Sequence, residues 1–177
     1  MPSFQYPAVG IDLGTTYSVI AHLDAYHQPQ TLANAEGERL TPSVVLIEGE
    51  ERIAGREALK AITTDASNVA LCAKRELGSP LFHKRLGGRV YPPEVIEAFV
   101  LNKLWRDAKT QIGDFHQAVI TVPAYFDEVR RKATQDAGYM AGLKVLDIIN
   151  EPTAAAVAFG AMQGFLTPDG RAERAVN

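Results

Sequence analysis

Asp12, Gly14, Thr15 and Thr16 fall within one short run, Gly10-Ile-Asp-Leu-Gly-Thr-Thr-Tyr-Ser18, set between two apolar stretches at residues 8–11 and 19–23. Those stretches read as two strands, so a hairpin turn presents a carboxylate, two hydroxyls and unencumbered backbone amides together. Glycine lets the backbone approach an anion closely, successive N–H groups form an anion-binding nest, and a carboxylate beside them suits hydrated Mg²⁺. The chemistry expected is that of a phosphate and metal holder. A plain turn, with Asp12 capping Gly14, uses the same residues. A carboxylate that ends an apolar strand is costly unless it does one or the other.

Glu151 follows the apolar run 145–149, at the carboxyl end of a strand and just before a helix that opens with Pro152. Ligands in open α/β sheets gather at that edge. The helix macrodipole alone also favours an acid there. Lys74, in Cys72-Ala-Lys-Arg75, reads by its spacing as a solvated surface charge, and Arg75 as structural. His22, His27, His83 and His116 stand far apart, with no Cys or carboxylate spacing for a metal cage, and no Ser–His pairing argues for a nucleophile. Neither Gly-x-Gly-x-x-Gly nor Gly-x-x-x-x-Gly-Lys-Ser/Thr occurs, which argues against Rossmann and P-loop sites.

The elements that must position these residues follow from periodicity. Residues 30–32 read as a third strand before the Asn34-Ala-Glu-Gly37 turn, and 44–47 as another strand. Residues 55–63 look helical, and 68–77 read as a short helix or turn carrying Lys74. Tyr91-Pro-Pro-Glu94 opens a long amphipathic helix, with Val95, Ile96, Phe99, Val100, Leu104 and Trp105 on one face. Strand 118–122, helix 127–141, strand 145–149 and helix 152–162 then alternate, the signature of an α/β layered domain. The expected organisation is a core from residues 1–40 and 92–177, interrupted by an insertion at 41–91. Residues 86–91 are expected to form a trimmed hairpin, and 175–177 to begin a strand.

With 177 residues and 46% hydrophobic content, the chain can bury roughly 70% of its unfolded surface. Eighteen basic against 21 acidic residues give a net charge of −3, with no run of like charge to draw it to nucleic acid or an anionic membrane. The single Cys72 fits a reducing compartment. The start of the chain carries no leader-like pattern, and no stretch approaches about 20 apolar residues. The expectation is a soluble cytoplasmic protein.

The Gly10 to Ser18 run and Ile149-Asn-Glu-Pro-Thr-Ala-Ala-Ala-Val-Ala-Phe-Gly160, with Ala73-Lys-Arg75 and Val122-Pro-Ala-Tyr-Phe126 between them in that order, resemble the seventy-kilodalton heat-shock chaperones. The resemblance implies an actin-like, ribonuclease H-like ATPase lobe, a mixed sheet flanked by helices, with a small inserted α+β subdomain over the phosphate site. It implies ATP or ADP with Mg²⁺. Gly14, Thr15, Thr16 and Tyr17 would hold the β- and γ-phosphates, and Asp12 the metal through water. Lys74 would reach the γ-phosphate and help orient the attacking water. Glu151 would hold metal-bound water or take a share of the nucleophile's proton. Pro123 and Arg131 match positions that relay the nucleotide state. The implied partners are unfolded polypeptides, a J-domain co-chaperone and a nucleotide-exchange factor.

Two departures accompany the resemblance. The family's second phosphate loop, its second lobe with the adenosine pocket and its peptide-binding domain are not among these residues. The stretch between Lys74 and Pro123 is also shorter than usual, which leaves exchange-factor contacts open. The expectation is therefore one lobe of an ATPase domain, inactive and prone to self-association as a fragment. A non-hydrolysing interaction module is the alternative, and a sugar kinase or actin-type relative is a more distant one.

Overall fold

The computed structural model describes residues 8–166. The tail, with the strand expected at 175–177, lies outside the described residues. Strands β1 (Ala8–Asp12) and β2 (Tyr17–Leu23) form the antiparallel hairpin, and β3 (Pro29–Thr31) and β4 (Thr41–Pro42) both pair with β2. Strict alternation in β1 sends Val9 and Ile11 into the core and leaves Gly10 and Asp12 on the open face.

A second, antiparallel sheet is built from β5 (Val44–Glu48), β6 (Glu51–Ala54) and β7 (Val69–Leu71), in the order β6-β5-β7. Between β6 and β7 lie the short helices α1 (Arg56–Lys60) and α2 (Ile62–Asp65). The helix expected over 55–63 is therefore broken at Ala61. β7 replaces the front half of the helix or turn expected over 68–77, and only Ala73–Glu76 is a 3₁₀ turn. Three residues bearing Val69 and Leu71 carry too little periodicity to distinguish strand from helix. The trimmed hairpin at 86–91 is present as a single bridge. Leu86 and Arg89 exchange both backbone hydrogen bonds around Gly87 and Gly88, each at positive φ.

Helix α3 (Pro93–Ile112) returns the chain to the main sheet with proline in its first turn. Its buried side is Ile96, Glu97, Val100, Leu101, Leu104 and Ala108, whereas Val95, Phe99 and Trp105 are only half-buried. The stripe is thus rotated from the one expected and contains a carboxylate.

Strand β8 (Gln117–Val122), helix α4 (Glu128–Met140), strand β9 (Lys144–Asn150) and helix α5 (Glu151–Met162) complete the alternation. The main sheet runs β3-β2-β1-β8-β9, with β1, β8 and β9 parallel and α4 as the crossover between the last two. Asp127 caps α4 by accepting from the Arg130 N–H at 2.9 Å. The helix then lays Ala133, Thr134, Ala137 and Gly138 against the sheet, so close that a β-carbon on Gly138 would stand 2.4 Å from Val145 Cγ2. In β9 a bulge after Val145 places Leu146 and Asp147 outward in succession, so that Ile148 still points inward and Asn150 comes opposite Val122. Without it, a one-residue slip would turn Asp147 into the core.

Candidate functional site

The carboxyl ends of three neighbouring parallel strands meet at one edge. Asp12 ends β1, Thr121 stands beside it in β8, and Asn150 ends β9 immediately before Glu151 opens α5. The Thr121 hydroxyl donates to Asp12 Oδ1 at 2.7 Å. Asp12 thus does not cap the Gly14 turn. That task falls to Ser18, whose Oγ accepts the Gly14 N–H at 3.1 Å and bonds Ser43 Oγ at 2.9 Å in the interior. A β-carbon on Gly14 would lie 2.0 Å from the Tyr17 carbonyl oxygen, so this turn closes only around glycine. Thr16, Tyr17 and Asp12 are exposed, and neither the amide nor the hydroxyl of Thr15 or Thr16 is committed to a partner among the described residues.

Lys74 arrives from the other sheet. Cys72, at φ 57°, takes the left-handed conformation that a β-carbon disfavours, and it turns the chain from β7 into the 3₁₀ turn. Far from being a solvated charge, Lys74 is 3% exposed. Its Nζ reaches Glu151 Oε1 at 2.7 Å and lies 5.8 Å from the centre of the Phe126 ring. Arg75 points to solvent.

Pro123 starts the turn after β8, where its carbonyl accepts the Phe126 N–H at 3.1 Å and thereby sets the ring beside Lys74. Arg131, on α4, donates to Asn150 Oδ1 at 2.9 Å and to the Ile148 carbonyl, fastening the strand end that carries Glu151. The sequence reading omitted two participants. Thr121 gave no signal apart from its place in a strand. Glu97 is wholly buried beneath Lys74's turn, with its carboxyl pushed up to about 8 by burial, partly offset by the Lys74 charge and by the Lys74 backbone N–H. Glu97 stands outside the apolar stripe expected for this helix, so no signal for it was present in the sequence either.

Among the described residues no three His, Cys, Asp or Glu side chains converge as a direct metal cage, and no helix is long and apolar enough to cross a membrane. A groove of about 510 Å³, lined in part by Glu36, Arg52, Phe99 and Arg106, shares none of the residues of the sheet edge.

A family model described as Hsp70 protein matches the chain over residues 8–86 and 78–164, a span that takes in every residue of this edge.

Proposed function

The chain belongs to the Hsp70 family, whose members are ATPases that bind ATP and Mg²⁺ through an actin-like fold, and from that premise we propose that it forms the first lobe of a chaperone ATPase domain. In this reading residues 1–40 and 92–177 form the core and 41–91 the small subdomain. The observation that carries it is the Lys74 to Glu151 pair. A buried lysine stem crosses from the small sheet and delivers its ammonium to the ligand-binding edge of the large one, 77 residues away in sequence.

The residues present fit a nucleotide phosphate with its metal. The Gly14 turn brings backbone close to the edge, and the uncommitted amides and hydroxyls of Thr15 and Thr16 suit phosphate oxygens. Asp12 keeps its second oxygen free for a metal-bound water while Thr121 fixes the first. One carboxylate suits Mg²⁺, which keeps several waters and takes its other ligands from phosphate. When bound, the metal neutralises charge on the phosphates during transfer. Lys74 exchanges Glu151 for a γ-phosphate oxygen and stabilises the charge that shifts there. Glu151, released, accepts a hydrogen bond from the attacking water or from a metal-bound one. Arg131 and Pro123 couple the edge to α4, through Asn150 and through Phe126, and this supports their role in relaying nucleotide state.

Helix α5 buries only Gly160, and Val157, Phe159 and Met162 are exposed. These exposed apolar residues, spread around the helix, support coverage by the remainder of a two-lobed domain, and self-association of the chain when it stands alone. Control of unfolded-polypeptide binding, with J-domain and exchange-factor partners, belongs to the same reading.

Titration of the 177-residue chain with Mg·ATP, followed through its backbone amides, tests the site. Shifts are expected at Thr15, Thr16 and Lys74, with a Kd of roughly 1 mM, about −4 kcal/mol. The absence of shifts at these residues would overturn the assignment.

A further inference from the structure

The groove of about 510 Å³ runs between the small sheet and helix α3. Strand β6 lines it with Arg52, Ile53 and Ala54, and α3 lines it with Phe99, Asn102 and Arg106. Its volume falls within the roughly 300–1,000 Å³ of small-molecule sites. It shares no residue with the sheet edge, so a ligand here is independent of the phosphate-site reading.

The charges along the groove divide into satisfied and unsatisfied ones. Lys103 passes Gly55 so closely that a β-carbon there would stand 2.7 Å from the lysine Cε, and its Nζ is held by Glu36 at 3.0 Å and Asp107 at 2.6 Å. Glu57 of α1 is paired with Lys60 at 2.7 Å. Each of these acids thus has a lysine, whereas neither arginine of the groove has a carboxylate partner among the described residues. Arg52 donates through Nη1 to the carbonyls of Gly49 and Glu51, at 2.9 and 2.8 Å, and through Nη2 to the Tyr91 hydroxyl at 3.1 Å. These bonds hold its guanidinium in place and leave two of its five donors free. Arg106 is exposed and has no hydrogen-bond or ion-pair partner among the described residues.

We propose that this groove binds a monocarboxylate with an apolar body and an adjoining N–H, the form shared by the last residue of a peptide with an apolar C-terminus and by an N-acylated apolar amino acid. The guanidinium groups present paired donors that match a carboxylate. Ile53, Ala54 and Phe99, all half-buried, offer the apolar surface for the body. Asn102 donates from Nδ2 to the Ala141 carbonyl at 3.1 Å, and its Oδ1, uncommitted among the described residues, is the acceptor for the ligand's N–H. The three carboxylates of the lining, Glu36, Glu57 and Asp107, repel a second negative charge, which selects a carboxylate over a phosphate dianion.

Titration of the 177-residue chain with N-acetylphenylalanine, followed through its backbone amides, tests this. Shifts are expected at Ile53, Ala54, Phe99, Asn102 and Arg106, with a Kd of roughly 1 mM, while Thr15 and Thr16 stay unmoved. N-acetylphenylalanine amide, which lacks the charge, and the Arg106→Ala variant should each weaken binding about 10-fold or more. Arg106→Lys, which keeps the charge without the fork, should recover only part of it. Arg106 is exposed, so these variants keep the fold. A tripeptide ending in free phenylalanine that binds as tightly as the acetylated amino acid supports a peptide terminus as the source, and one that binds more weakly supports the amino-acid derivative. Phenyl phosphate binding as tightly as the carboxylate would overturn the proposal. So would undiminished binding of the amide, undiminished binding by Arg106→Ala, or shifts that miss the groove.

Discussion

The Thr121 hydroxyl donates to Asp12 Oδ1 across 109 residues of chain, at 2.7 Å, and joins the ends of two parallel strands. The bond selects one rotamer of an exposed carboxylate and leaves its second oxygen facing the open edge. Thr121→Val keeps the shape of the side chain and removes the donor. We expect a loss of stability of about 1 kcal/mol or less at this open position. Any Mg²⁺ dependence of nucleotide binding should shift to higher metal concentration. Denaturant midpoints beside Mg²⁺ titrations measure the two effects separately.

Lys74→Ala separates ground-state binding from chemistry. In a protein that contains this chain together with a complete nucleotide site, ATP affinity should be largely retained, because other contacts supply it. Turnover should fall about 10²- to 10³-fold, on the order of 3–4 kcal/mol, as for loss of a preorganised charge-stabilising donor. Single-turnover hydrolysis alongside equilibrium titration distinguishes this from a structural lysine, which would leave the rate constant unchanged.

Gly14→Ala places a β-carbon against the Tyr17 carbonyl oxygen. Backbone must move on one side of the turn, at a cost of roughly 1–3 kcal/mol. The Gly14 N–H to Ser18 bond and the buried Ser18 to Ser43 contact should loosen with it. Thermal melts and amide exchange at Ser18 read the change, and a variant as stable as the native chain would disprove the close-approach argument.

Glu97 makes stability fall with pH over a defined window. Its folded value, about 8, lies above the unfolded value of 4.5, so between the two the native state retains a proton that the unfolded state has released. Stability is therefore unaffected by this group below about pH 4.5, declines as pH rises toward 8, and levels off beyond it. The full effect corresponds to roughly 5 kcal/mol. Glu97→Gln should flatten that decline, and unfolding free energies measured from pH 4 to 9 should converge with the native chain at the acid end and diverge at the alkaline end.

The exposed apolar residues of α5 predict concentration-dependent association of the isolated chain. Sedimentation at increasing protein concentration should show it, and Val157→Glu with Phe159→Glu should abolish it without a change in thermal midpoint beyond a degree or two, since neither residue is buried.

Much of the main sheet was legible because its signals are local. The glycine turn between apolar runs marks the first hairpin, and the alternation from residue 118 onward marks the parallel strands and their helices. β6, with the sequence Glu51-Arg-Ile-Ala54, and the three-residue β7 escaped because their pairing, not their composition, makes them strands. The site divided in the same way. Asp12 and Glu151 could be argued from strand ends alone, whereas Lys74 looked like a surface lysine until the family resemblance was weighed. Its burial depends on a left-handed cysteine and on a helix beginning nearly twenty residues later. Glu97 was invisible for a related reason: a glutamate between Ile96 and Ala98 reads as the polar side of a helix until the packing rotates that side inward.

The contacts that assemble the sheet edge link residues 25, 77 and 109 positions apart, namely Ser18 with Ser43, Lys74 with Glu151, and Asp12 with Thr121. Closing the longest of these loops costs only about 1 kcal/mol more entropy than closing the shortest, since the penalty grows with the logarithm of length. Its kinetic weight is larger, because long-range contacts delay the folding transition state. The Ser18 to Ser43 contact can form early, but those of Asp12 with Thr121 and of Lys74 with Glu151 wait until the chain has been synthesised past residues 121 and 151. A nascent chain emerging from the ribosome therefore has its first hairpin and small sheet early but no assembled edge, and burial of the Lys74 side chain against Glu151 during refolding would mark the moment at which the two sheets become one structure.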